Sequence, residues 1–205
     1  MIDKLIPPLL GYYTMAGSGA PAAPVITTVV YDTFTDTDAT ALNLHAPDIN
    51  VAGNPWVPVS TVITSNKADG TSTYNGARIL TTLSDCKITF DCDNTGDAAT
   101  SDRDSGIRLR RNATGRWQVT ISKYSDVFRI VEYDGNYTVR TSASVVIGTG
   151  THTLVAIANG QTISATCDGA NDITYGSAAA FLTEKEHGMA LYTTSVGDNF
   201  KVETI

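Results

Sequence analysis

Glutamate is almost missing from this chain of 205 residues: it occurs 4 times, against 17 aspartates and 30 threonines. Aspartate competes with the backbone in turns and is a poor helix interior residue, while β-branched side chains favour strands. A mainly helical fold is thereby excluded and an all-β fold is expected. Cysteine is scarce and odd in number. Cys86, Cys92 and Cys167 show no CxxC spacing, so neither a disulfide framework nor a zinc site is indicated. Cys86 and Cys92 flank Lys-Ile-Thr-Phe-Asp, a strand pattern whose rise of ~3.3 Å per residue holds them too far apart to bridge. Buried free thiols and assembly in a reducing cytoplasm are the expectation. No apolar run approaches the ~20 residues a membrane-spanning helix needs, and a soluble chain is expected. Positive charge is in deficit, 14 Lys and Arg against 21 Asp and Glu for a net charge of -7, which argues against nucleic acid or an anionic membrane as main partner. Catalytic signatures are lacking too. There is no Gly-x-Ser-x-Gly and no phosphate or dinucleotide cradle, and His45, His152 and His187 lie in unrelated segments, each expected in a turn or at the surface.

What is present suffices for one sizeable domain, since a chain of this length buries ~70% of its unfolded surface. Residues 1–24 stand apart: an apolar stretch broken by Pro7-Pro8 runs into a Gly, Ala, Ser and Pro-rich segment ending at Pro24. A secretory signal is one reading of it, but the apolar run is short and interrupted. An anchoring arm and linker is preferred, with Leu5, Ile6, Leu9, Leu10, Tyr12 and Tyr13 as its contact residues and residues 25–205 as the folded unit. From Val25 onward, short β-type runs alternate with turn signals about every ten residues, the spacing of a sandwich. Three hairpins are predicted. Gly106–Arg111 joins Trp117–Ser122, Val127–Tyr133 joins Tyr137–Thr141 through Asp134-Gly135-Asn136, and Thr153–Ala158 joins Gln161–Cys167 through Asn159-Gly160. Alternation places Ile107 and Leu109 on one face with Arg108 and Arg110 on the other. The segment Gly176–Glu186, with its Ala-Ala-Ala-Phe-Leu run, is the one helical candidate.

The order of these signals resembles the concanavalin A-like (laminin G-like) jelly-roll superfamily. The resemblance rests on Asp32-Thr33-Phe34 ahead of an acidic loop, Trp56, the strand Asp104–Arg110, the hairpin from Thr151 to Ile163 ahead of Cys167-Asp168-Gly169, and the closing strands Gly188–Tyr192 and Asp198–Val202. It implies a two-sheet antiparallel sandwich in which Asp198-Asn199-Phe200 pairs back near Asp32-Thr33-Phe34. The threonine-rich style and short arm look most like accessory virion proteins of tailed bacteriophages. That likeness implies a non-enzymatic capsid decoration protein in a virion assembled in the host cytoplasm, partnered by the major capsid protein or other virion proteins and by copies of itself.

Glycosidases of the superfamily carry roughly Glu-x-Asp-x-Glu on one strand. Glu132-Tyr133-Asp134 is a partial match whose Asp134-Gly135 fits a turn better, and Glu184 and Glu186 lack a second acidic strand; no catalytic residue is expected. Calcium could draw on Asp32, Asp36 and Asp38, or on Asp91, Asp93, Asp97, Asp102 and Asp104. Acidic loop residues are ordinarily just solvated, so no metal and no cofactor are expected. Tyr124, Tyr133 and Tyr137, near hairpin ends, are the candidate glycan contacts and Trp117 a core residue. Six of the eight arginines fall between positions 103 and 129. Of these Arg108, Arg110, Arg111, Arg116 and Arg129 are read as a subunit interface that steers an acidic partner. A carbohydrate-binding module or tail adhesin of the same fold is the alternative function.

Overall fold

The computed structural model describes residues 25–70, 74–94, 105–192 and 195–205. Sixteen strands follow in chain order: β1 Thr28–Asp32, β2 Ile49–Asn50, β3 Val57–Val59, β4 Thr61–Thr64, β5 Lys67–Gly70, β6 Tyr74–Leu80, β7 Cys86–Asp93, β8 Ser105–Arg111, β9 Arg116–Ser122, β10 Val127–Tyr133, β11 Tyr137–Ser144, β12 Thr151–Asn159, β13 Thr162–Cys167, β14 Ala170–Tyr175, β15 Glu186–Tyr192 and β16 Val196–Glu203. They form two antiparallel sheets. One runs β14-β13-β12-β7-β16-β1-β2, with the β4–β5 pair joined to it through β16; the other runs β11-β10-β9-β8-β15-β6-β3. The three predicted hairpins are all present.

Alternation decides which side chains fill the space between the sheets. In β7, Cys86, Ile88, Phe90 and Cys92 are buried while Lys87, Thr89, Asp91 and Asp93 face out. The three thiols are free and buried. At the centre Trp56 meets Phe200 edge-on at 5.3 Å between centroids, Phe90 meets Phe200 at 6.0 Å, and Phe34 meets Trp56 at 5.9 Å. The two ends of the sequence close on each other as the resemblance implied, with β1 antiparallel to β16 and Asp32 opposite Phe200.

Three expectations are corrected. Gly176–Glu186 contains no helix. It is a turn segment in which Phe181 takes φ 59° and Ala178 is buried, and the Ala180 carbonyl accepts a 2.9 Å hydrogen bond from Trp117 Nε1, so packing over the core overrides the local alanine run. The only helical piece among the described residues is the 3-10 turn Leu42–Leu44. Not every histidine is a turn or surface residue: His187 is fully buried in β15, while His45, though nearly buried, ends the Leu42–Leu44 turn and His152 is partly exposed. Finally, Arg110 does not share a face with Arg108. Gly188 stands opposite Arg108 and Glu186 opposite Arg111, so Leu109 and Arg110 together oppose His187. This is a β-bulge, and the extra residue, at φ 46°, turns Arg110 inward to full burial.

Candidate functional site

The face of the seven-stranded sheet turned away from the core has a buried middle, including Gln118, Thr120, Arg129 and Val131, and exposed margins at Val57, Val59, Tyr137 and Val139. Pairing registers place the side chains in rows across the strands. One row reads Val57, Arg78, Gly188, Arg108, Gln118, Val131, Val139; its neighbour reads Val59, Gly76, Ala190, Gly106, Thr120, Arg129, Ser142. Gly76, Ala190, Gly106 and Gly188 therefore form a strip with almost no side chain at the middle of the sheet. The glycines are not interchangeable with alanine. A Cβ at Gly188 would sit 2.0 Å from the Ala77 carbonyl oxygen, and one at Gly106, where φ is +154°, 2.2 Å from that of Val119. A Cβ at Gly76 would also lie 2.9 Å from Arg108 Nη1, which places the guanidinium beside this strip.

Guanidiniums border the strip, and the carboxylates available to them are few. Arg111 bonds Glu186, and Arg78 Nε lies 3.3 Å from the other oxygen of the same carboxylate. Arg116 lies over the Tyr133 ring at 4.3 Å and Arg129 over the Tyr137 ring at 5.5 Å, both cation–π contacts. Arg108 is different: its only polar contact among the described residues is a long one, 3.5 Å from Nη2 to the Asn75 carbonyl. The Nε atoms of Arg108 and Arg116 are buried without a hydrogen-bond acceptor, whereas that of Arg78 has the Glu186 oxygen. Burial, followed by the charges of Arg116, Arg111 and Arg78, pulls the Arg108 guanidinium down to about 9, and burial with Arg111 lowers Arg116. Arg108 therefore stays charged at neutral pH, in a field of like charge that Glu186 alone offsets among the described carboxylates on this face.

Of the five arginines singled out in the sequence, the structure brings Arg108, Arg111, Arg116 and Arg129 to this face and removes Arg110 to the interior. Arg110 donates from Nε to the Ser84 carbonyl at 3.0 Å, from Nη1 to the Gly160 carbonyl at 2.7 Å and from Nη2 to Asp85 at 2.6 Å. Arg78 joins the face unforeseen, because it is 30 positions from Arg108 in sequence and only sheet pairing makes them neighbours across Gly188. Tyr133 and Tyr137 face each other across the β10–β11 pair at one margin, with Tyr137 exposed. Tyr124 is exposed as well but lies in the turn at the opposite end of β10, apart from them. The arm residues Leu5, Ile6, Leu9, Leu10, Tyr12 and Tyr13 lie outside the described residues.

The other titratable groups are engaged elsewhere. Asp32, fully buried, accepts from Phe34 N at 2.7 Å, Trp56 Nε1 at 2.6 Å and His45 Nε2 at 2.8 Å, and His45 Nδ1 approaches Asp36 at 3.3 Å. Burial draws His45 down, but the two carboxylates outweigh it and hold the imidazole above its usual range; burial raises Asp32. Asp38 accepts from Ser65 N, and Asp91 from Thr153 and Asn199. Asp97, Asp102 and Asp104 lie outside the described residues. His152, Cys167 and Asp168 gather their ligand atoms within 4.8 Å. Both ring nitrogens of His152 are already hydrogen-bonded, to Asp168 and the Gly148 carbonyl, and burial with the Asp168 charge pushes the Cys167 thiol up to about 12. That grouping has the chemistry of a hydrogen-bonded turn, not of a thiolate metal site. Glu132 is held by Arg140 and pairs in register with Trp117, on the core side of the sheet.

No protein-family model matches the chain, and no curated protein matches it in sequence. Solved structures do match in shape. The carbohydrate binding module CBM66 from Bacillus subtilis is 16% identical over 73% of this chain and 91% of that one, with a TM-score of 0.55. The CBM2 module of the evolved Dit of Lactobacillus casei BL23 phage J-1 is 11% identical over 87% and 95%, TM-score 0.53. A β-glucanase of Bacillus licheniformis is 12% identical over 85% and 97%, TM-score 0.52. At these identities the likeness is one of fold: a jelly-roll β-sandwich of the kind found in binding modules and glucanases.

Proposed function

We propose that the chain is a glycan-binding module of a phage virion and that its ligand lies on the outer face of the seven-stranded sheet. The observation that carries this reading is the side-chain-free strip of Gly76, Ala190, Gly106 and Gly188, edged by guanidiniums and by Tyr133 and Tyr137. The strip itself is buried, with the Arg108 guanidinium against Gly76, so a ligand meets the guanidiniums first: they donate hydrogen bonds in a fixed fork, and the tyrosines offer stacking surfaces at the margin. The names of the similar structures lend support, since two are carbohydrate-binding modules and one of these belongs to a phage Dit protein. They favour this reading over capsid decoration, whose main warrant is an arm outside the described residues; of placements on a virion, a tail adhesin fits better.

The module binds without cleaving. Glycoside hydrolysis needs two carboxyl groups about 5 to 9.5 Å apart, and among the described residues this face offers only Glu186, already gripped by Arg78 and Arg111. A glycan array probed with the purified chain is expected to give a defined set of binders. Tyr137→Ala should weaken the best of them at least about fivefold, the loss of roughly 1 kcal/mol of contact, with no reducing sugar released. An empty array, or binding indifferent to Tyr133→Ala and Tyr137→Ala alike, would remove this face from consideration.

A further inference from the structure

Arg108 has no close acceptor among the described residues. Buried polar groups are almost always satisfied, and those that are not commonly mark an ion or ligand that completes them. Here two Nε donors on one face, those of Arg108 and Arg116, lack an acceptor, and they belong to guanidiniums close enough to repel one another. The face carries four clustered arginines, Arg78, Arg108, Arg111 and Arg116, with Glu186 the one carboxylate among the described residues. That local excess of positive charge occurs in a chain of net charge -7. Charge complementarity therefore calls for an anion, and the planar guanidinium fork matches carboxylate, sulfate and phosphate oxygens in particular.

We infer that the module selects acidic saccharides, and that the carboxylate, sulfate or phosphate of the sugar docks on Arg108 between Arg78 and Arg116 while the ring lies over the guanidiniums that border the glycine strip. The inference rests on the glycan-binding reading and narrows it. A sugar fits better than a phosphodiester polymer: the arginine cluster is local and the rest of the molecule, being acidic, repels a strand of dense negative charge.

The full chain would be run through native gels or titrated calorimetrically against polygalacturonate for carboxylate, heparin for sulfate, phosphorylated dextran for phosphate, dextran and galactomannan as neutral polymers, and single-stranded DNA. The expected result is binding to at least one acidic polysaccharide, at least tenfold tighter than to either neutral polymer or to DNA, and weakening about tenfold or more between 50 and 500 mM salt, where screening is strong. Which of the three polymers is retained identifies the anion. Arg108→Gln should reduce that binding at least tenfold without lowering Tm, since it removes a cation with no paired carboxylate among the described residues. Arg140→Gln removes the same charge from the pair with Glu132 and should leave binding within twofold. Neutral-glycan binding unaffected by Arg108→Gln would overturn the inference and leave the glycan-binding reading standing. DNA held as tightly as the acidic polymers, or equal losses in the two variants, would show mere charge attraction and overturn it as well. No binding to any saccharide would overturn both.

Discussion

Arg108 and Arg110 stand two positions apart and meet opposite environments. Arg110 is buried, but its donors are taken by two carbonyls and by Asp85, which itself accepts from Gly160 N at 3.2 Å. Removing one partner of such a buried set leaves the others unsatisfied, so Arg110→Ala is expected to cost about 3 to 5 kcal/mol in chemical denaturation. His187 adjoins it, with Nδ1 accepting from Arg110 N at 3.2 Å and Nε2 donating to the Leu83 carbonyl at 2.8 Å. Burial, together with the Arg110 charge, lowers its imidazole to about 4. The unfolded chain therefore binds the proton more readily than the folded one, and stability should fall as pH drops from about 6.5 towards 4. The decrement attributable to this group is on the order of 3 kcal/mol, checked by Tm against pH for the native chain and for His187→Gln, whose curve should be flatter over that window. The thiols follow the same logic of burial. With Cys86 and Cys167 pushed up to about 12 and all three side chains buried, mass spectrometry should find no rapid alkylation of the folded chain at pH 8, and three adducts once denaturant is added.

Strands set what single residues can reach. The bulge between β8 and β15 rotates one side chain by half a strand period, and everything before it keeps the face that alternation assigns. Gly106 lies two residues ahead of Arg108 in the same strand. With the Val119 carbonyl 2.2 Å from where its Cβ would be, Gly106→Ala should destabilise by about 2 kcal/mol or more and weaken glycan binding by spreading β8 from β9. Gly135→Ala, where no atom lies within 4 Å but φ is +102°, should cost stability only and leave binding unchanged. Calorimetric melting paired with a binding titration separates the two. The strands, hairpins and core faces were legible in the sequence because alternation and Asn-Gly or Asp-Gly turns are local signals. The candidate site was half legible. Clustering in sequence pointed to Arg108, Arg111 and Arg116, yet Arg78, Gly76 and Gly188 come from β6 and β15, and no local pattern says which distant strands will pair. Nor does alternation announce a bulge: Arg110 reads as the twin of Arg108 until His187 is seen facing two residues instead of one.

On the scale of the molecule, the sheets meet through one continuous core running from the Phe34–Trp56–Phe200 cluster to Trp117, and Arg110 ties β8 to the approach of β7 and the β12–β13 turn. The first described strand begins at Thr28, and a chain lacking residues 1–24 is expected to fold with a Tm within a few degrees of the full chain. Persistence of an all-β circular dichroism spectrum would check it; collapse of the fold would make residues 1–24 part of the sandwich. The pairing of β1 with β16 adds a consequence for how such a unit is mounted. Thr27 and Thr204 exchange hydrogen bonds, Thr27 N to Thr204 Oγ1 at 2.8 Å and Thr204 N to the Thr27 carbonyl at 3.0 Å. The polypeptide thus enters and leaves the sandwich at neighbouring points, like the two wires of a lamp. Both points lie on the nine-stranded sheet, at the back of the molecule from the arginines. A larger protein could carry this unit as an insert in one of its own loops with little distortion at the junctions, and the mounting would turn the arginine face outward into the surrounding medium.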